Sequence, residues 1–362
     1  MARVDLATLP LDQLCGQLIV GGFHGTELPE SFREALAAGH RGGAILFRRN
    51  CADLGQVAEL NAAIAACNVE PAPPLVGVDQ EGGRVTRLPE PFLTLPAMGA
   101  LGRLDDLELT RQAASAVGCE LAALGFTIDF APVLDVDSNP DNPVIGDRSF
   151  GRQPAVVWRQ GAAFAQGLQS ASVAACGKHF PGHGDTSVDS HVDLPTVARD
   201  ADRLDAVELR PFRDACRVGI AALMSAHVVY PALDAEHPAT LSPAVCTGLL
   251  RERLGFAGVL FSDDLEMGAI AGRQGIERAA VDAVAAGCDG LLICSDEQLQ
   301  RQAHGALIAA AEQDPRFQDR CREACGRVVA LRRQFSPHGV ASARSSDGGT
   351  PSLAARLAAQ ID

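Results

Sequence analysis

The chain has 362 residues, 47% of them hydrophobic and 21% charged, the balance of a soluble globular protein with ample material for a core; fibrous and disordered classes are excluded. Acidic side chains outweigh basic ones to leave a formal charge of −14. No Lys/Arg-rich stripe offsets that field, so no nucleic-acid partner is expected. Aromatic residues are only 4% with a single Trp, too few for a stacking platform, which points to a small ligand.

The N-terminus, MARVDLATLPLDQLCGQLIV, carries acidic residues early and has no basic region followed by a long apolar run. No secretory signal is expected. Apolar stretches such as Ala279–Ala286 are broken by charges, here Asp282, and are too short to span a membrane, so no membrane partner is expected either. Eleven Cys lie scattered from Cys15 to Cys325 without a CxxC pair, which fits small buried hydrophobes in a reducing cytosol and a cytoplasmic protein.

Short β-branched apolar runs recur along the chain, each followed by a loop and a helical pattern. Strands are predicted at Gln17–Val20, Gly43–Phe47, Leu75–Val78, Thr127–Pro132, Ser172–Gly177, Ala221–Ser225, Gly258–Ser262 and Gly290–Cys294. Helical spacing covers Asp53–Ala66, Asp105–Leu124, Pro154–Gln169, Asp202–Arg217 and Gln274–Ala286, with Asp53, Asp105 and Asp202 as expected caps. A further pair, Glu297–Glu312 and Asp319–Gln334, closes the series. Eight strand-helix units predict an α/β fold of the (β/α)8 TIM-barrel type. A doubly wound sheet would need GxGxxG after the first strand, and Gly21-Gly22-Phe23-His24-Gly25 does not supply it. Residues 1–335 are therefore expected to form a single catalytic barrel. Residues 336–362 read as a flexible C-terminal tail, Ser336–Thr350 being linker-like and the Ala-rich end a short helix.

Catalytic groups of such barrels sit just past the C-terminal ends of the strands. Asp79 ends the third predicted strand, Asp135 follows the fourth, Lys178 and His179 end the fifth, His227 the sixth, and Asp263-Asp264 the seventh. That succession predicts a polar pocket. The segment Lys178–His191 holds three of the nine His. His179 and His183 have HxxxH spacing, but Pro181, Gly182 and Gly184 oppose the helix that would pair them on a metal. No metal and no cofactor are expected. Asp189 and His191 can meet in a tight loop and suit proton transfer, with turn capping as the alternative reading. Of Asp263 and Asp264, one is expected to face the barrel mouth and Asp264 to cap a helix. Arg84, Arg87 and Arg148 could hold a polyol or an anion, or form surface ion pairs.

The runs Lys178-His179-Phe180-Pro181-Gly182-His183-Gly184-Asp185-Thr186 through Asp189-Ser190-His191, and Phe261-Ser262-Asp263-Asp264-Leu265, resemble glycoside hydrolase family 3, specifically its β-N-acetylglucosaminidase branch. The segments Val78–Arg87 and Asn139–Gly151 are similar as well, so the resemblance spans most of residues 10 to 335. It implies a retaining β-N-acetylhexosaminidase with Asp263 as nucleophile and His191, oriented by Asp189, as acid/base in place of the usual second carboxyl group. It further implies that Asp79, Arg87, Arg148, Lys178 and His179 hold the N-acetylglucosamine ring. Larger members carry a second, sandwich domain, which is not expected here because the match ends near Gln334. The expected role is cytoplasmic recycling of cell-wall muropeptides by a monomer. The expected substrate is N-acetylglucosaminyl-β-1,4-anhydro-N-acetylmuramic acid, with or without its peptide. An N-acetylglucosaminide phosphorylase, a broader β-glucosidase and a non-catalytic sugar-binding protein are the alternatives. The loop Gly182–His191 is expected to be mobile without ligand, because of its glycines.

Overall fold

The apolar runs fold into short strands: β1 (Ile19–Gly21), β2 (Gly43–Leu46), β3 (Leu75–Val78), β4 (Ile128–Asp129), β5 (Ala174–Phe180), β6 (Ala222–Ser225), β7 (Val229–Tyr230), β8 (Asp234–Pro238), β9 (Val259–Asp264) and β10 (Gly290–Ile293). The structure is a computed structural model and describes residues 6–67, 70–190 and 193–336. Eight strands close into a parallel barrel in the order β1-β2-β3-β4-β5-β6-β9-β10, with β10 returning to β1 through Ile19 opposite Leu291. This is the predicted (β/α)8 architecture. β7 and β8 form a separate antiparallel hairpin, which the sequence reading missed because Asp234–Pro238 is mostly exposed and polar.

Alternation along the strands sends one set of side chains inward. Val20, Ile45, Ile128, Phe130, Met224, Phe261 and Leu292 belong to this inner cluster. Phe130 and Phe261 meet edge to face at 5.5 Å between ring centres. Val328 and Leu331 from the helix Pro315–Gln334, and Phe335 just past its end, join the same cluster, so the last helix plugs the barrel interior. A larger outer cluster packs the strands against the surrounding helices.

Several boundaries differ from expectation. The fourth strand is only Ile128–Asp129, and the fifth runs on to Phe180, so Lys178 and His179 lie within it. Asp53 caps its helix by accepting from the Gln56 N–H. Asp105 does not cap: it ends the helix Met98–Leu104 with φ of 49°, and Asp106 caps Leu107–Ala123. Its carboxylate instead bonds Arg159 and Gln160. Likewise Asp200, not Asp202, caps Ala201–Ala206, and Arg210–Arg217 is a second helix. In both cases two acids one or two residues apart compete for one capping position, and local sequence does not rank them. Of the eleven cysteines, Cys119 is exposed, Cys51 and Cys216 are partly covered, and the rest are buried as expected of small hydrophobes. Among the described residues no helix is long and apolar enough to cross a membrane. Of the expected C-terminal tail, residues 337–362 lie outside the described residues.

Candidate active site

The C-terminal ends of the strands surround a pocket of about 230 Å³. Asp79, Glu81, Arg87, Arg148, Lys178, His179, Asp263 and Asp264 line it, with Phe47, Met224 and Leu292 among its apolar walls. The chain enters from β3 as Val78-Asp79-Gln80-Glu81 and reverses at Gly82 and Gly83, whose φ values of 101° and 55° favour glycine. Gln80 fixes the return: its side-chain oxygen accepts from the Arg87 N–H at 2.9 Å. Arg87 thereby comes back to face Asp79, with Nη2 at 3.5 Å from Oδ2.

One wall is a network of alternating charge. The Lys178 ammonium lies 2.7 Å from Asp79 Oδ1 and 2.6 Å from Glu81 Oε1. Burial alone would push Lys178 down, but the two carboxylates overcome it and hold the ammonium well above its ordinary value. Burial opposes the charge on Glu81 too, yet Lys178 and Arg148 keep it far below the usual carboxylate range. Glu81 was missing from the sequence-derived site, although it stands two residues past Asp79, where a strand-end residue of the same alternation falls. Behind this wall Asp129 is fully buried, accepts from the Gln80 N–H at 2.9 Å, and has no partner for its other carboxylate oxygen among the described residues. Burial pushes it up to about 8.

His179 is oriented from below. Its Nδ1 lies 2.7 Å from Asp135 Oδ2, while Asp135 Oδ1 accepts the backbone N–H groups of His179 and His183. Although burial works against it, the neighbouring His179 holds the Asp135 carboxyl below its ordinary value. Asp135 is thus a support beneath the pocket and not part of its lining, and His227 likewise bonds Thr240 and the Asp264 carbonyl instead of facing the cavity.

The loop after β5 is held at several points. The Tyr230 hydroxyl donates to the Gly182 carbonyl at 2.6 Å, and Asn142 donates to the carbonyls of His183 and Gly184. Burial and the neighbouring His179 push His183 down to about 4, so it is neutral. Its Nδ1 meets Thr186 Oγ1 at 2.9 Å and its Nε2 meets Ser190 Oγ at 3.0 Å. The Ser190 carbonyl accepts from the Ala269 N–H at 3.2 Å, tying the loop end to the segment after Asp263. The glycines answer to packing: a Cβ on Gly184 would meet the Val136 carbonyl oxygen at 1.6 Å, and Gly182 has φ of 135°. Asp189 precedes Ser190 at the edge of this site. His191 lies outside the described residues.

Asp263 and Asp264 end β9, and both line the pocket, whereas only one was expected to. Asp264 caps no helix, because the next one, Gly268–Ala271, begins after Met267. Its Oδ1 accepts instead from the N–H groups of Glu266 and Cys294, stitching β9 to β10. Burial, with Glu266 and Asp263 close by, pushes Asp264 up to about 7. Asp263 Oδ1 accepts from the Asp264 N–H at 2.8 Å. Arg84 is outside the pocket: it bonds the carbonyls of Val144 and Ile145 and pairs with Asp147 at 3.3 Å, bracing the loop that carries Arg148.

Residues 10–331 match the glycosyl hydrolase family 3 N-terminal domain. The chain belongs to that family. It is 42% identical over 289 residues to a β-hexosaminidase of Neisseria meningitidis serogroup C, covering 78% of this chain and 79% of that protein. Among solved structures it is similar to a family 3 β-N-acetylglucosaminidase from Paenibacillus sp. FPU-7, with a TM-score of 0.91, 42% identity, and coverage of 98% of this chain and 68% of that one. NagZ from Neisseria gonorrhoeae in complex with N-trifluoroacetyl-D-glucosamine aligns with a TM-score of 0.72 at 36% identity, covering 86% of this chain and 97% of that one. The protein is accordingly a glycoside hydrolase of the β-hexosaminidase type.

Proposed function

We propose that this hydrolase is a retaining exo-β-N-acetylglucosaminidase that removes a terminal N-acetylglucosamine from cytoplasmic muropeptides during cell-wall recycling. The observation that carries the reading is the setting of Asp263. It stands on one side of a pocket smaller than the ~300–1,000 Å³ of drug-sized ligand sites, facing walls that carry Asp79, Arg87, Arg148, Lys178 and His179. Such a cavity suits one terminal sugar ring. Asp79 and the cationic groups supply an acceptor and donors for ring hydroxyls and the acetamido carbonyl.

In the proposed first step an Asp263 oxygen bonds to the anomeric carbon while the bond from that carbon to the leaving oxygen breaks, and His191 gives that oxygen its proton. In the second step water attacks the glycosyl ester, His191 takes its proton, and the Asp263 carboxylate is restored. Asp189 would stabilise the imidazolium between these steps. The anchoring of Ser190, which lines the pocket, supports a position for its neighbour at the reaction centre.

The test is hydrolysis of aryl β-glycosides of N-acetylglucosamine and of glucose, with the first-formed anomer followed by proton NMR. A strong preference for the acetamido sugar with β-anomer release is expected, since glucose would leave buried polar groups unpaired at a cost of roughly 1–3 kcal/mol each. Equal kcat/KM for both sugars, or release of the α-anomer, contradicts the proposal. Hydrolysis of N-acetylglucosaminyl-β-1,4-anhydro-N-acetylmuramic acid, with and without peptide, then tests the natural substrate.

A further inference from the structure

Phe47 follows β2 directly, at the C-terminal end of that strand, and lines the sugar pocket. Two guanidinium groups lie over its ring, Arg49 at 4.5 Å and Arg87 at 5.6 Å from the ring centre. We propose that Phe47 is a positioning residue of the hydrolysis, its ring face holding the Arg87 guanidinium against the sugar pocket. The proposal rests on the reading of Arg87 as a sugar contact.

Arg87 is short of other holds. Its main-chain N–H is fixed by Gln80 Oε1 at 2.9 Å, which returns the residue to the pocket but leaves its long side chain free to turn. Asp79 Oδ2 stands 3.5 Å from Nη2, and the other oxygen of that carboxylate is taken by Lys178 at 2.7 Å. Nε is buried and has no acceptor among the described residues. An aromatic face is electron-rich and attracts a cation within about 6 Å of its centre, so the Phe47 ring supplies a hold that hydrogen bonds do not. Arg148, on the same pocket, shows the contrast. Its Nε and Nη2 fork onto Glu81, and its Nη1 donates to the Val144 carbonyl at 3.1 Å.

The ring itself is a fixed platform. The Phe47 N–H donates to Asn50 Oδ1 at 2.9 Å, and the buried Asn50 donates through Nδ2 to the carbonyls of Phe23 and Gly25 at 3.0 and 2.7 Å. Arg49 Nε donates to the Phe23 carbonyl at 3.0 Å and its Nη2 to the Cys294 carbonyl. The segment after β2 is thereby tied to the loops that follow β1 and β10, and the ring packs against the inner barrel cluster. A ring ordered in this way on folding can hold Arg87 in place before a sugar arrives.

The test replaces Phe47 in the full chain by mono-, di- and pentafluorinated phenylalanine, in the native and Arg87→Ala backgrounds. The readout is kcat/KM on an activated aryl β-N-acetylglucosaminide, with circular dichroism matched to the wild type. Fluorine draws negative charge from the ring face with little change in ring size, so a role in packing alone does not follow the fluorine count. In the native background kcat/KM is expected to fall stepwise, to about a tenth with the pentafluorinated ring, and Phe47→Leu should lose a similar factor. Arg87→Ala should itself lower kcat/KM and leave the fluorine series flat. A flat series in the native background overturns the proposal. A fall that persists in Arg87→Ala overturns it too, the ring then acting through Arg49 or on the sugar directly. Wild-type kcat/KM in Arg87→Ala would remove the sugar-contact reading and the proposal together, whereas a loss in Arg87→Ala beside a flat native series removes the proposal alone.

Discussion

Glu81 and Arg148 meet fork to fork, with Arg148 Nε 2.9 Å from Glu81 Oε2 and Nη2 2.8 Å from Oε1. The same carboxylate holds Lys178, so one buried anion sets the positions of two cations on the pocket wall. Glu81→Ala takes the carboxylate from Arg148 and leaves Lys178 with Asp79 alone, and a loss of about 3–5 kcal/mol of stability is expected from uncompensated buried charge. A fall in kcat/KM of about a hundredfold should accompany it through misplacement of the wall. Urea unfolding and steady-state kinetics check both. Because the folded-state value of Glu81 lies below its unfolded 4.5, its contribution is present above that pH and fades only as pH falls toward the folded value.

Two carboxyl groups have the opposite sign. Asp129 is pushed up to about 8 and Asp264 to about 7, from 3.8 when unfolded. The native state therefore holds more protons than the unfolded chain between pH 4 and those values, and stability falls as pH rises through that window. Asp129→Asn should flatten the decline between pH 5 and 8, because the amide has no charge to bury. Unfolding free energies at several pH values test this, and a slope identical to that of the wild type contradicts it.

The barrel was legible because its signal is repeated. Eight apolar runs at the right spacing fell on the eight barrel strands, with end residues shifted by at most three positions. Asp79, Lys178, His179 and Asp263 were placed by the rule that strand ends carry the chemistry, and all line the pocket. What remained illegible depends on partners distant in sequence. Glu81 matters through Lys178 and Arg148, 97 and 67 residues away. Asp264 was read as a helix cap because its bond to the Cys294 N–H, 30 residues on, has no local trace. Asp135 and His227 obey the strand-end rule yet point into supporting bonds, a distinction set by side-chain direction and not by position.

At the opposite end of the barrel from the pocket, Asp289 is completely buried just before β10 and receives Arg251, Arg320 at 2.6 Å and Arg327 at 3.0 Å. Its Oδ2 also accepts the Leu260 N–H, joining β9 to β10. Asp289→Ala should cost about 3–5 kcal/mol, read as a lower urea midpoint. The folded fraction should keep wild-type kcat/KM, as this face is structural. Loss of activity without loss of stability would count against that division.

The proposed acid role of His191 is tested by leaving group. An activated aryloxide departs with little protonation, whereas a sugar alcohol needs a full proton. His191→Ala should therefore lose far more activity on a disaccharide than on an activated aryl N-acetylglucosaminide. Asp189→Asn should show the same pattern more weakly, since its proposed part is to stabilise the imidazolium. Equal losses on both substrates would move attention to a carboxyl group, with Asp185 and Asp189 of the same loop as the next to test.

The central claim is that Asp263 forms the bond to the sugar. Asp263→Asn is nearly isosteric, and the amide oxygen can still accept from the Asp264 N–H, so the fold should survive. The decisive measurement is turnover of an activated aryl N-acetylglucosaminide by this variant, with Tm and circular dichroism matched to the wild type. The account predicts a rate below about a hundredth of wild type, the scale of loss expected for a nucleophile. A well-folded Asp263→Asn protein that retains more than that would show that another group attacks the anomeric carbon.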